Sequence, residues 1–105
     1  MTDRVAAFGH FFERRHAIVT GGGRGIGAAA ADMLAAAGAN VTVMGRDMGA
    51  LASQAQRLRE DHGIEAAAHA CDVTDDASVL AAFDDARAEL GAAYVLVNNA
   101  GQAEG

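Results

Sequence analysis

A chain of 105 residues has room for one modest domain, and its 51% hydrophobic content, 13 glycines and absence of proline exclude a disordered or collagen-like polymer. Fourteen acidic against eight basic residues give a formal net charge of -6 with no basic block. That balance argues against a nucleic-acid or membrane partner, yet leaves room for a local phosphate site built from a helix terminus and single arginines.

The first 14 residues read as an amino-terminal arm, and residues 15–105 as one partial domain. MTDRVAAFGHFFERRH has neither the sustained apolar region nor the small-residue cleavage site of a signal peptide, and no stretch is long enough to span a bilayer. Cys71 has no internal disulfide partner and reads as a small buried hydrophobe at a strand end, so the expected location is cytoplasmic. Phe8, Phe11 and Phe12 have helical spacing, suited equally to covering a neighbouring surface and to a loosely docked arm.

RHAIVT then supplies a short apolar strand, and GIGAAAADMLAAAGAN a helix rich in the strongest helix former, stopping near Gly38. NVTVM, residues 40–44, is a second strand by its β-branched residues. MGALASQAQRLREDHG reads as a second helix with Leu51, Ala55 and Leu58 on its apolar face and Gly63 as its stop. IEAAAHA is extended by the company it keeps, since alanine has little strand propensity of its own. TDDASVLAAFDDARAELG opens with capping acids and places Val79, Phe83, Ala86 and Leu90 at helical spacing, and YVLVNN is a last apolar strand ending in two amides. This alternation predicts an α/β fold, a Rossmann-type doubly wound parallel sheet of which the first β-α-β-α-β-α-β portion is supplied, with right-handed crossovers and ligands beyond the carboxyl ends of the strands.

The glycine-rich stretch TGGGRGIG, Thr20 to Gly27, sits at the first of those strand ends. A strand-to-helix turn of this composition presents unpaired backbone amides to a pyrophosphate, and missing side chains let the phosphate come close. Arg24 adds a cation, and the Thr20 hydroxyl is placed to hold the loop. A mononucleotide P-loop needs a lysine, of which the chain has none, and the GxGxxG pattern is met only in part by Gly23, Gly25 and Ala28.

Another register fits better: the sequence resembles the short-chain dehydrogenase/reductase family. Its TGxxxGxG motif maps onto Thr20, Gly21, Gly25 and Gly27, its NNAG motif onto Asn98, Asn99, Ala100 and Gly101, and CDVTD stands between them at 71–75. The match covers roughly residues 15–101, the amino-terminal part of a full member. The resemblance implies that Gly21, Gly25 and Gly27 form the cofactor turn with Gly23 within it and Ile26 at the helix start. It further implies that Asp72 approaches the adenine amino group and Val73 the base, and that Asn98 with the Ala100–Gly101 backbone borders the ribose. Read without the family, Asn98 and Asn99 are a strand terminus with local backbone capping.

Gly45 stands where NAD-preferring relatives show aspartate, and Arg46 follows it. The repulsive acid is absent and a guanidinium able to pair with the extra phosphate is present, so NADP(H) is favoured over NAD(H), which stays open. Asp47 is expected either to engage Arg46 or to cap the next helix.

For a full member the resemblance implies an oxidoreductase passing hydride between cofactor and a carbonyl or alcohol, with 3-oxoacyl thioesters in view, a homo-oligomer, and a later serine and YxxxK pair handling the proton. No catalytic residue is assigned within the present sequence: Tyr94 opens a strand and lacks the lysine. The contrasting reading is a catalytically inactive dinucleotide-binding module. No metal site is assigned, because His10, His16, His62 and His69 form no zinc spacing and are expected to be exposed or capping. Asp84, Asp85 and Glu89 read as a solvating helix face.

Overall fold

The computed structural model describes residues 12–99. Seven elements alternate: β1 (His16–Thr20), α1 (Gly25–Ala36), β2 (Asn40–Gly45), α2 (Met48–His62), β3 (Ala66–Ala70), α3 (Asp76–Leu90) and β4 (Ala93–Asn98). All strand pairs are parallel, in the order β3-β2-β1-β4. The chain therefore builds outward on one side through β2 and β3, then returns to place β4 on the other side of β1. That reversal makes the carboxyl ends of β1 and β4 a topological switch point.

Alternation along the strands divides the core in two. Ala17, Val19, Val41 and Val43 point to one face, where Ala31 and Ala35 of α1 and Leu51, Ala55 and Leu58 of α2 cover them. The alanines of α1 carry no bulk, so the helix can approach the sheet closely. Ile18 and Met44 point to the opposite face and pack with Cys71 against Ala82 and Ala86 of α3, with Val79 and Phe83 at the margin. Helices thus lie on both faces, as the alternation predicts, and Cys71 is buried as expected. Phe12 packs against the first cluster, whereas Phe8, Phe11 and His10 lie outside the described residues.

Helix boundaries follow local chemistry. α1 ends at Ala36 in a Schellman arrangement, with Gly38 at φ 95°, its N–H donating to Ala35 O and that of Ala39 to Leu34 O. Asp47 caps α2 by accepting from Ala50 N, and Gly63 ends the helix in the left-handed conformation. Asp75 caps α3 through Ala77 N and Ser78 N. The third strand begins at Ala66, two residues later than the apolar stretch suggests.

Three histidine expectations need correction, the simplest being His69, which is half-buried in β3 and pairs through Nε2 with Glu89 Oε1 of α3 at 2.5 Å. His16 is buried in β1: its Nδ1 donates to Gly91 O at 2.8 Å and its Nε2 accepts from the Thr42 hydroxyl at 2.7 Å. One ring thereby ties β1 to β2 and to the turn before β4. His62 joins two helices instead of capping one, meeting Asp32 of α1 at 2.8 Å, while Arg57 reaches the other oxygen of Asp32 at 3.0 Å. Burial would raise the Asp32 carboxyl, but the hydrogen bonds from His62 and Arg57 together pull it below its ordinary value.

Candidate functional site

The glycine turn leaves β1 at the switch point and is pinned from two sides. Gly21 N and Gly22 N both donate to Met44 O of β2, at 2.7 and 3.2 Å. On the other side, the Thr20 hydroxyl donates to Asn98 Oδ1 at 3.0 Å and accepts from Asn99 N at 2.9 Å. The Thr20 hydroxyl thus joins the ends of the paired strands β1 and β4 at the point where the loop leaves β1.

The glycines serve different ends. Gly21 and Gly25 adopt positive φ, 67° and 63°, which L side chains resist. Gly27 is required for space: a Cβ there would lie 2.0 Å from Gly21 O. Gly23 faces Ala50 and Leu51, so the turn packs on the start of α2. Gly22, which the motif leaves unspecified, is also constrained, because a Cβ would sit 2.8 Å from Val43 Cγ1.

Behind this turn the first amides of α1 have no side-chain cap, and Arg24 occupies the N-cap position with extended backbone. No acid lies in the first turn. An uncapped helix start carries partial positive charge and open N–H donors, a fit for a pyrophosphate. Ile26 is 78% exposed at this point.

The ends of β2 and β3 lie alongside. Gly45 O accepts from Cys71 N at 2.7 Å, joining the two strand ends, and Arg46 is exposed in the bend that follows. Asp47 does not take Arg46 as its partner. Its Oδ2 meets Arg24 Nη2 at 2.7 Å while Oδ1 caps α2. Asp72 Oδ1 accepts from the Thr74 hydroxyl at 2.7 Å and from Thr74 N at 3.0 Å. These bonds, aided by the Arg46 charge, hold its carboxyl below the usual range. Val73 beside it is 43% exposed.

The structure therefore brings Thr20, Gly21, Gly23, Arg24, Gly25, Ile26, Gly27, Gly45, Arg46, Asp72, Val73 and Asn98 to the carboxyl end of the sheet. Ala100 and Gly101 lie outside the described residues. Tyr94 stands at the opposite end of β4, with the Arg15 guanidinium 4.3 Å over its ring. Asn99, absent from the expected contacts, is the addition: besides its backbone bond to Thr20, its amide reaches Gly21 O at 3.5 Å. Two successive amides after an apolar strand were the available signal.

A parallel sheet with helices on both faces and a glycine turn entering a helix at the switch point defines a Rossmann-type α/β domain, the class that binds dinucleotides at this place. The chain belongs to the short chain dehydrogenase family, whose model matches residues 15–105. It is 46% identical over 96 residues to the cis-4-hydroxycyclohexanecarboxylate dehydrogenase of Sinomonas cyclohexanicum, covering 91% of this chain and 38% of that protein. Against the 3-oxoacyl-[acyl-carrier-protein] reductase of Escherichia coli it is 41% identical over 92 residues, 86% of this chain and 35% of the relative. Among solved structures, L-sorbose reductase from Gluconobacter frateurii, complexed with NADPH and L-sorbose, superposes with a TM-score of 0.82 at 34% identity, over 86% of this chain and 34% of that one. The chain thus spans little more than a third of the length of these relatives.

Proposed function

We propose that this chain is the dinucleotide-binding portion of an NADP(H)-dependent oxidoreductase acting on a small carbonyl or alcohol. One observation carries the reading: the glycine turn is clamped between β2 and the Thr20–Asn98–Asn99 bonds so that the uncapped start of α1 faces the switch point. In this reading the turn from Gly21 to Gly27 receives the pyrophosphate, Asp72 and Val73 border the adenine, and Asn98 borders the ribose.

Arg46 follows Gly45 where a carboxylate would disfavour NADP(H), and Arg24 lies across the same strand end; the NADPH complex of the sorbose reductase supports the same choice. Asp72 is compatible with an adenine amino group because its Oδ2 accepts no hydrogen bond from a described residue. When bound, the nicotinamide supplies or accepts the hydride. The proton falls to the serine and YxxxK pair that a full family member contributes, so the 105-residue chain alone is expected to bind without turnover. Substrates to try first are 3-oxoacyl thioesters, in view of the Escherichia coli relative, followed by cyclic alcohols and ketoses, in view of the Sinomonas and Gluconobacter proteins.

The test pairs calorimetric titration with NADPH against nicotinamide absorbance over a carbonyl panel, using this chain and a version continued through a YxxxK segment. Binding by both and turnover only by the longer protein is expected. Absence of NADPH binding by the folded longer protein overturns the reading.

A further inference from the structure

Among the described residues, the cations that the topology brings to the adenosine end are Arg24, from the glycine turn, and Arg46, from the bend after β2. Asp47 stands between these two segments with a divided carboxylate. Oδ1 accepts Ala50 N at 3.1 Å and caps α2, while Oδ2 binds Arg24 Nη2 at 2.7 Å. The two tasks are separable, because a helix cap needs only a side-chain oxygen and the ion pair needs the charge.

We propose that Asp47 competes with the 2′-phosphate of NADP(H) for Arg24, and so holds cofactor discrimination below what two arginines would otherwise give. The inference rests on the functional reading above and adds a residue that the cofactor motifs leave out. A phosphate monoester carries close to two negative charges and several acceptor oxygens, and a guanidinium serves it best through paired N–H donors. Asp47 engages one of those donors beforehand, and its own negative charge opposes the incoming phosphate. Side-chain exposures of 73% for Arg24 and 59% for Asp47 make the pair a solvent-screened one, worth at most about a fivefold factor in positioning Arg24. The same bound limits the cost of displacing Asp47, and the repulsion between its charge and the incoming phosphate adds to that cost and has no counterpart in positioning. NADH has no such phosphate and makes no demand on Arg24.

Asp47→Asn keeps the capping oxygen and removes the charge, with Asp47→Ser as a second neutral cap should the first variant fold poorly. Dissociation constants for NADPH and NADH are read from nicotinamide fluorescence in the complete protein, with 2′,5′-ADP titrated by calorimetry as a nicotinamide-free probe. NADPH and 2′,5′-ADP should bind about three- to tenfold more tightly to the neutral variants, with NADH changed by less than about twofold. In an Arg24→Ala background the gain should fall to the part that relief of charge repulsion alone supplies, under about twofold. Unchanged or weaker NADPH binding in both neutral variants overturns the proposal, as does a gain that is undiminished without Arg24. Wild-type protein that binds NADPH no better than NADH overturns the functional reading and this inference with it. Selective NADPH binding by the wild type without a gain in the variants overturns the inference alone.

Discussion

Replacing Gly27 by alanine puts one methyl group where the glycine turn and α1 touch. The new Cβ would lie 2.0 Å from Gly21 O, 2.7 Å from Gly21 C and 3.0 Å from Asn99 Nδ2. The first contact is well over 1 Å short of ordinary van der Waals separation, and the atoms concerned are backbone. Gly21 cannot retreat without losing the 2.7 Å bond from its N–H to Met44 O. Overpacking of this kind costs about 1–3 kcal/mol, a broken hydrogen bond about 1 more, and the better helix propensity of alanine returns about 1. A net loss of about 1–3 kcal/mol follows, seen as a lower urea midpoint by circular dichroism together with weakened NADPH binding. Gly25→Ala is the control, since nothing lies within 4 Å of its Cβ and only its φ of +63° resists, at roughly 1–2 kcal/mol, and asparagine there should relieve part of that. A Gly27→Ala protein with the wild-type midpoint would refute the steric account.

His16→Ala should lower unfolding free energy by roughly 2–4 kcal/mol, because the Thr42 hydroxyl and Gly91 carbonyl lose their buried partner; a change under about 0.5 kcal/mol in urea titrations would contradict the bridging role. The Asp32 carboxyl is held below its ordinary value in the folded state, so its contribution is fully present above the carboxylate range and is lost as pH falls through the depressed folded value. Asp32→Asn should therefore flatten the acid limb of stability against pH, by only about 0.2–1 kcal/mol because the group is partly exposed. Burial, reinforced by the Asp72 charge, pushes the Cys71 thiol up, so an aromatic disulfide reagent at neutral pH should modify it only as fast as the protein opens; rapid native-state labelling would count against its burial.

Where local pattern and tertiary demand coincide, the residues announce the structure. Leu51, Ala55 and Leu58 lie one helical turn or so apart and all three are buried; Asp47, Asp75 and Gly63 cap as their chemistry suggests. The glycine turn is legible because positive φ and close backbone approach restrict residue choice at the positions a motif records. The site partnerships are less so. Arg24 and Asp47 are 23 residues apart, and only the parallel pairing of β1 with β2 brings the turns after them together. Asp47 therefore reads in sequence as a partner for its neighbour Arg46 or as a helix cap, and only the second of these is met while Arg24 goes unforeseen. His16 is legible as the start of the first strand but not as a buried residue, because its partner Thr42 comes from the neighbouring strand that the parallel pairing brings alongside. The Asp32, Arg57 and His62 cluster likewise joins two helices whose rotation about their axes no single-helix periodicity specifies.

The central claim is that this end of the sheet receives NADP(H), with Arg46 reading the phosphate that distinguishes it from NAD(H). Its most direct test is the pair of dissociation constants for NADPH and NADH, measured by calorimetry before and after Arg46→Ala in the complete protein. The wild type should bind NADPH more tightly, and the substitution should weaken NADPH alone by about 1–3 kcal/mol while leaving NADH nearly unchanged. Equal losses for the two cofactors, or a wild-type preference for NADH, would contradict the account.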